Sequence, residues 1–133
     1  MEQTARREQN QNRRYRWMGS LTRRRTRRLI ASSRLLVLSS IMEGGANVIS
    51  EAIVDRTPVL SSRIDGSIGL LGPDYPGYFE VGDTEGLARV LVRAETDRAF
   101  YRALKQACAS VAPLFHPSRE RTAWRHLLKE ITR

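Results

Sequence analysis

The sequence predicts an α/β domain built on a parallel sheet. Three observations point there. Leu35–Leu38 is a short apolar run with the length of a buried parallel strand. It is followed by Ser39-Ser40-Ile41-Met42-Glu43-Gly44-Gly45-Ala46-Asn47, a glycine-bearing turn that opens into a helix-compatible segment. Downstream, short apolar runs alternate with segments of helical periodicity, the pattern of βα units.

The elements follow in order. A helix is expected over residues 2–11, a short strand over 15–18 and a basic helix over 21–32, with Leu21, Leu29 and Ile30 as its apolar face. Arginine is a good helix former, so the basic face carries no propensity cost. The strand at 35–38 and the glycine turn lead to a helix over 46–55. Residues 58–61 make the next strand, entered through Pro58. Residues 62–77, rich in glycine and holding Pro73 and Pro76, read as a long loop. Residues 78–81 are a weak strand. Asp83 or Thr84 caps a helix carrying Leu87, Val90 and Leu91, and Thr96 or Asp97 starts another with Phe100, Tyr101, Leu104 and Cys108 on one side. Pro117 opens a last helix to about residue 131, with Trp124, Leu127, Leu128 and Ile131 aligned.

The turn at 43–47 carries the chemistry. A helix N-terminus after a strand and a glycine turn presents free N–H groups and the positive end of the helix dipole, a setting for nucleotide phosphates. Glu43 precedes the helix and Glu51 lies about one and a half turns inside it. The two carboxylates can therefore hold different parts of one elongated ligand, each accepting two hydrogen bonds from a sugar or ribose diol. The plainer alternative is one acid in a loop and one on a helix surface.

These residues resemble the E-x7-E motif of the large retaining glycosyltransferase family with the GT-B fold (family four). The likeness continues in ordered blocks. Residues 51–62, Glu51 to Ser62, resemble that family's E-A-x-A-x-G-x-P-V-V-A-S segment, and residues 80–88 resemble its V-x-x-G-D-x-x-x-L-A segment. Coverage runs from about Tyr15 to the C-terminus. A narrower likeness, to the selenosugar synthases of selenoneine biosynthesis, is carried by Tyr15-Arg16-Trp17, Glu43-Gly44-Gly45-Ala46-Asn47, Ser62-Arg63-Ile64-Asp65-Gly66, Gly69-Leu70-Leu71-Gly72 and Asp74-Tyr75-Pro76-Gly77-Tyr78-Phe79. Those enzymes join selenophosphate to a UDP-N-acetylhexosamine.

The resemblance implies a Rossmann-like, three-layer partial domain, the C-terminal nucleotide-sugar-binding half of a GT-B fold. It implies that Glu43 is catalytic and holds the donor sugar near its reacting carbon. Gly44, Gly45, Ala46 and Asn47 would neutralise the diphosphate, Glu51 would bind the ribose, and Asp65 and Gly66 would approach the donor sugar. The donor would be a nucleotide sugar, with UDP as carrier, used without cofactor or metal. Two departures stand out: Gly45-Ala46 replaces a Phe-Gly pair, and Arg56 replaces a helix-ending glycine. Arginine in that left-handed position should cost on the order of 1 kcal/mol.

A GT-B enzyme has two such domains, and 133 residues suffice for one. The family's opening strand and Gly-Arg/Lys segment are not found. Residues 1–34 are accordingly expected to be an Arg-rich helical lead-in and 35–133 an incomplete donor-binding domain. The acceptor domain would be missing, whether the chain is a fragment, a mis-called start or a remnant. Such a piece should be inactive alone.

Charge supplies the competing reading. Residues 1–34 hold eleven arginines against two glutamates, while 35–133 hold twelve basic and twelve acidic residues, so the whole excess of +9 sits in the first quarter. A small basic protein binding nucleic acid through this arm is the alternative, although only Tyr15 and Trp17 lie nearby for base stacking. The segment's apolar face is too narrow for a membrane-surface helix. No run approaches the ~20 apolar residues of a membrane span, and the cytoplasm is the expected compartment. Cys108 is the single cysteine and reads as a small buried hydrophobe. His116 and His126 lack cysteine partners for zinc, and His116 before Pro117 suits a capping role.

Overall fold

The computed structural model describes residues 1–42 and 47–132. In chain order these form α1 (Glu2–Gln11), α2 (Arg23–Ser32), β1 (Leu36–Leu38), α3 (Asn47–Val54), β2 (Val59–Ser62), α4 (Asp65–Leu71), β3 (Tyr78–Phe79), α5 (Thr84–Thr96), α6 (Arg98–Val111), a 3₁₀ turn (Ala112–Phe115) and α7 (Pro117–Ile131). The three strands form one parallel sheet in the order β1-β2-β3. Leu36 pairs with Val59, and Ser61 with Tyr78.

The central strand explains the core. All four residues of β2 are buried, as expected of a parallel strand flanked on two sides. Around it pack Ile49, Ala52 and Ile53 of α3, Leu71 of α4, Phe79 of β3, Ala94 of α5, and Phe100, Leu104 and Cys108 of α6. The last three recur at a four-residue interval, which places them on one helix face.

Local sequence sets most helix ends. Thr22 accepts from the Arg25 N–H, Asp83 from the Gly86 N–H at 2.8 Å, and Asp97 from the Phe100 N–H at 3.0 Å. His116 caps α7, its Nδ1 accepting from the Ser118 N–H, with Pro117 in the first turn. The end of α3 is a Schellman motif: the Thr57 N–H donates to the Ala52 carbonyl and the Arg56 N–H to the Ile53 carbonyl. Arg56 occupies the left-handed position with φ 61, as its alignment with a helix-ending glycine requires.

Three expectations need correction, and two apolar helix faces are less covered than their patterns alone would suggest. Residues 15–18 are not a strand: the Tyr15 N–H turns back to the Asn12 carbonyl and the Trp17 N–H goes to the Gln9 side chain. Residues 62–77 are not a continuous loop, since α4 forms within them. Its apolar residues Ile68, Leu70 and Leu71 outweigh the glycines, and Leu71 is buried. The strand at 36–38 is only partly buried, because it lies at the edge of the sheet. The apolar side of α7 does not enter the core: Trp124, Leu127, Leu128 and Ile131 are all exposed. Leu29 is exposed as well, leaving Ile30 as the buried residue of α2.

Candidate functional site

In a parallel sheet every strand ends at the same edge, and ligands of open α/β sheets bind outside those carboxyl ends. Here that edge carries Ser39-Ser40 after β1, Arg63-Ile64 after β2 and Glu80 after β3. The edge is tied together. Ser62 Oγ donates to the Ser40 carbonyl at 2.6 Å, and the Arg63 N–H donates to the Phe79 carbonyl at 2.9 Å. Four of the expected site residues, Glu43, Gly44, Gly45 and Ala46, lie outside the described residues.

Asn47 is the first residue of α3 and is exposed. Glu51 lies one turn further on, with its side chain only 19% exposed. Its Oε1 is 3.5 Å from Nε of Arg23 on α2. One turn along both helices, Arg27 donates to Asp55 at 2.9 Å. Glu51 on α3 and Asp55 directly past its end thus meet arginines four apart on α2, the spacing that puts each pair on one face. Below them Thr57 Oγ1 donates to the Ile30 carbonyl at 2.9 Å. Part of the basic segment is therefore a packed face of the domain, with its ionic partners on α3 and directly past its end. The arginine spacing 23/27 against the acid spacing 51/55 was the signal for this contact.

Asp65 and Gly66 open α4 rather than lying in a loop. Asp65 is exposed and Gly66 partly buried. Ser67 is fully buried and its hydroxyl lies 2.7 Å from that of Ser61 on β2, which anchors α4 to the sheet. The Tyr78 hydroxyl has the carbonyls of Gly72, at 2.8 Å, and Ser67, at 3.2 Å, as alternative acceptors for its single proton. Burial raises its pKa and the nearby Arg63 opposes the rise. Arg63 stacks 5.3 Å from the Tyr78 ring centre and donates to the Pro73 carbonyl. Sequence reasoning passed over Arg63; a cation directly after a central parallel strand was the available sign.

The structure thus brings Ser40, Ser62, Arg63 and the start of α4 to one sheet edge, with Glu51 on the helix beside it. Among the described residues no group of three or more His, Cys, Asp or Glu could hold a metal ion. No helix among them is long and apolar enough to cross a membrane.

Comparison with curated proteins gave no match. The family model for glycosyl transferases group 1 matches residues 2–110, and so spans α1 through nearly all of α6. A small parallel sheet with helices between its strands is consistent with a partial Rossmann-like domain of the GT-B kind. The chain therefore belongs to the glycosyl transferases group 1 family, and its domain is one that serves glycosyl transfer.

Proposed function

We infer that the chain is the donor-binding part of a retaining GT-B glycosyltransferase that uses a UDP-sugar. The observation that carries this reading is the shared sheet edge, with Glu51 on the adjoining helix, within the stretch that matches the family. In this reading residues 1–34 lead into the domain and 35–133 form it as a three-layer Rossmann-like unit. The acceptor domain is a separate unit.

The roles follow from the chemistry. Glu51 accepts the ribose hydroxyls. Its partner Arg23 is 84% exposed and 3.5 Å away, so a diol displaces it at small cost. Glu43 holds the donor sugar near its anomeric carbon. The amides of Gly44, Gly45, Ala46 and Asn47 are assigned the role of stabilising the charge that develops as UDP leaves. Asp65 and Gly66, at the start of α4, border the sugar. Arg63 adds a cation at the same edge. The likeness to selenosugar synthases supports selenophosphate as acceptor and a UDP-N-acetylhexosamine as donor.

The test is calorimetric titration of UDP and UDP-N-acetylhexosamine into a form of the chain extended upstream by its acceptor domain. Glu51→Ala should weaken UDP by roughly tenfold or more, the size of a lost charge-assisted hydrogen bond. Unchanged affinity in that variant removes Glu51 from the site. Product anomeric configuration, read by proton NMR with selenophosphate or water as acceptor, checks retention.

A further inference from the structure

A concavity lined by none of the residues of that sheet edge lies elsewhere on the domain. It is a cleft of about 790 Å³ between the C-terminal end of α3, α6, the 3₁₀ turn and the start of α7. That volume falls in the range of small-molecule sites. Its walls are mostly apolar, with Val54, Ala109, Ala112, Pro113 and Phe115 among them. Its charged lining is of one sign: Arg56, Arg102 and Lys105, with no carboxylate. All three cations are exposed, and none of them is in an ion pair among the described residues. Asp55, the neighbouring acid, is engaged by Arg27.

Arg56 adds an independent observation. It holds the left-handed backbone position that ends α3, where glycine would sit without strain. A residue kept in such a conformation is a pointer to function when its side chain serves something else. Here that side chain lines the cleft.

We propose that this cleft binds a long-chain carboxylate, with the acyl chain against the apolar walls and the carboxylate among Arg56, Arg102 and Lys105. Guanidinium groups suit a carboxylate because they can donate two parallel hydrogen bonds. The one-signed rim selects against cationic and zwitterionic amphiphiles. The site is distinct from the sheet edge that carries Glu51, so it stands whether or not the donor assignment does.

Calorimetric titration of dodecanoate, below its micellar concentration, into the 133-residue chain tests the proposal. Dodecanoate should bind with roughly fourfold gain for each methylene that enters the cleft, and so well ahead of octanoate. Dodecyltrimethylammonium should not bind. Arg56→Gly and Lys105→Gln should each weaken dodecanoate by roughly tenfold. Glycine fits the backbone at 56, so that variant should melt no lower than the parent and its loss of binding cannot be put down to unfolding. Equal binding of the cationic amphiphile would overturn the proposal, as would dodecanoate affinity unchanged in both variants. Binding confined to phosphatidylglycerol vesicles, with none to monomeric dodecanoate, would overturn it in favour of a membrane-surface role for the exposed side of α7.

Discussion

Gly77 sits where no side chain fits. A Cβ there would stand 2.5 Å from the Val59 carbonyl oxygen, 2.6 Å from the Tyr75 ring and 2.8 Å from Leu104. Two of those neighbours are core and one is backbone, so nothing can move aside cheaply. Gly77→Ala is expected to destabilise the chain by about 2–3 kcal/mol, the cost of overpacking a core, measured by urea denaturation. Tyr75 next to it bridges β2, its hydroxyl accepting from the Val59 N–H and donating to the Val59 carbonyl. Burial pushes its pKa well above the ordinary value of 10.0, and burial likewise raises that of Cys108 above 9.0. Tyr75 stays protonated in the fold over the range in which the unfolded chain ionises it. For each group the stabilisation is present below its unfolded pKa and is lost as pH rises above it; for Tyr75 the loss approaches about 1.4 kcal/mol per pH unit above pH 10. Thermal melts from pH 7 to 11 should show this slope. Tyr75→Phe should lower stability at pH 7 and flatten the slope above pH 10.

At the scale of elements, the α2–α3 contact combines two ion pairs of different quality. Arg23–Glu51 is long and largely exposed on the arginine side, so it contributes little. Arg27–Asp55 is 2.9 Å, and Asp55 Oδ2 is buried with no hydrogen-bond partner. Asp55 also follows the C-terminal turn of α3, where the helix dipole opposes a negative charge. Removing Arg27 alone should leave that carboxylate uncompensated. Arg27→Ala is expected to cost about 1–2 kcal/mol, and Arg27→Ala combined with Asp55→Ala should cost less than the first change alone. A double-mutant cycle by denaturant titration reads the coupling. The caps are simpler. Asp83→Ala should destabilise α5 by about 1 kcal/mol, because the Gly86 N–H loses its acceptor. Asp97 has its pKa lowered, chiefly by the Phe100 N–H it accepts from. Its contribution is thus present at neutral pH and lost as pH falls through the carboxylate range.

The whole molecule has two faces of unlike character. The carboxyl edge of the sheet carries the candidate donor site, and the cationic cleft lies among the end of α3, α6 and the start of α7. Val59, Leu60, Ser61 and Ser62 run fully buried through the core on which the surrounding helices pack. Leu60→Ala should cost about 2–5 kcal/mol and disturb both sites together, which circular dichroism and ligand titration would show in one variant. The basic lead-in is part of this body through Ile30, Arg23 and Arg27. The exposed line of Trp124, Leu127, Leu128 and Ile131 on α7 gives the molecule a third, apolar surface.

The sequence by itself determined the elements whose signals are local. Asp83, Asp97 and the His116-Pro117 pair mark helix starts through bonds to N–H groups two or three residues away. The left-handed turn at Arg56 was legible by alignment with a glycine, and the 36–38 and 59–62 strands by their apolar runs. Tertiary structure decided what depends on distant partners. The segment at 15–18 has strand-like residues but sends its N–H groups to Asn12 and Gln9 instead of a neighbouring strand. Residues 65–71 form a helix amid glycines because Ser67 and Leu71 gain burial against the sheet. The ionic partners of α2 and the stack of Arg63 on Tyr78 join residues 15 to 28 positions apart. Periodicity reports which side of a segment is apolar; only packing decides whether anything covers that side, and for α7 the described residues leave it open.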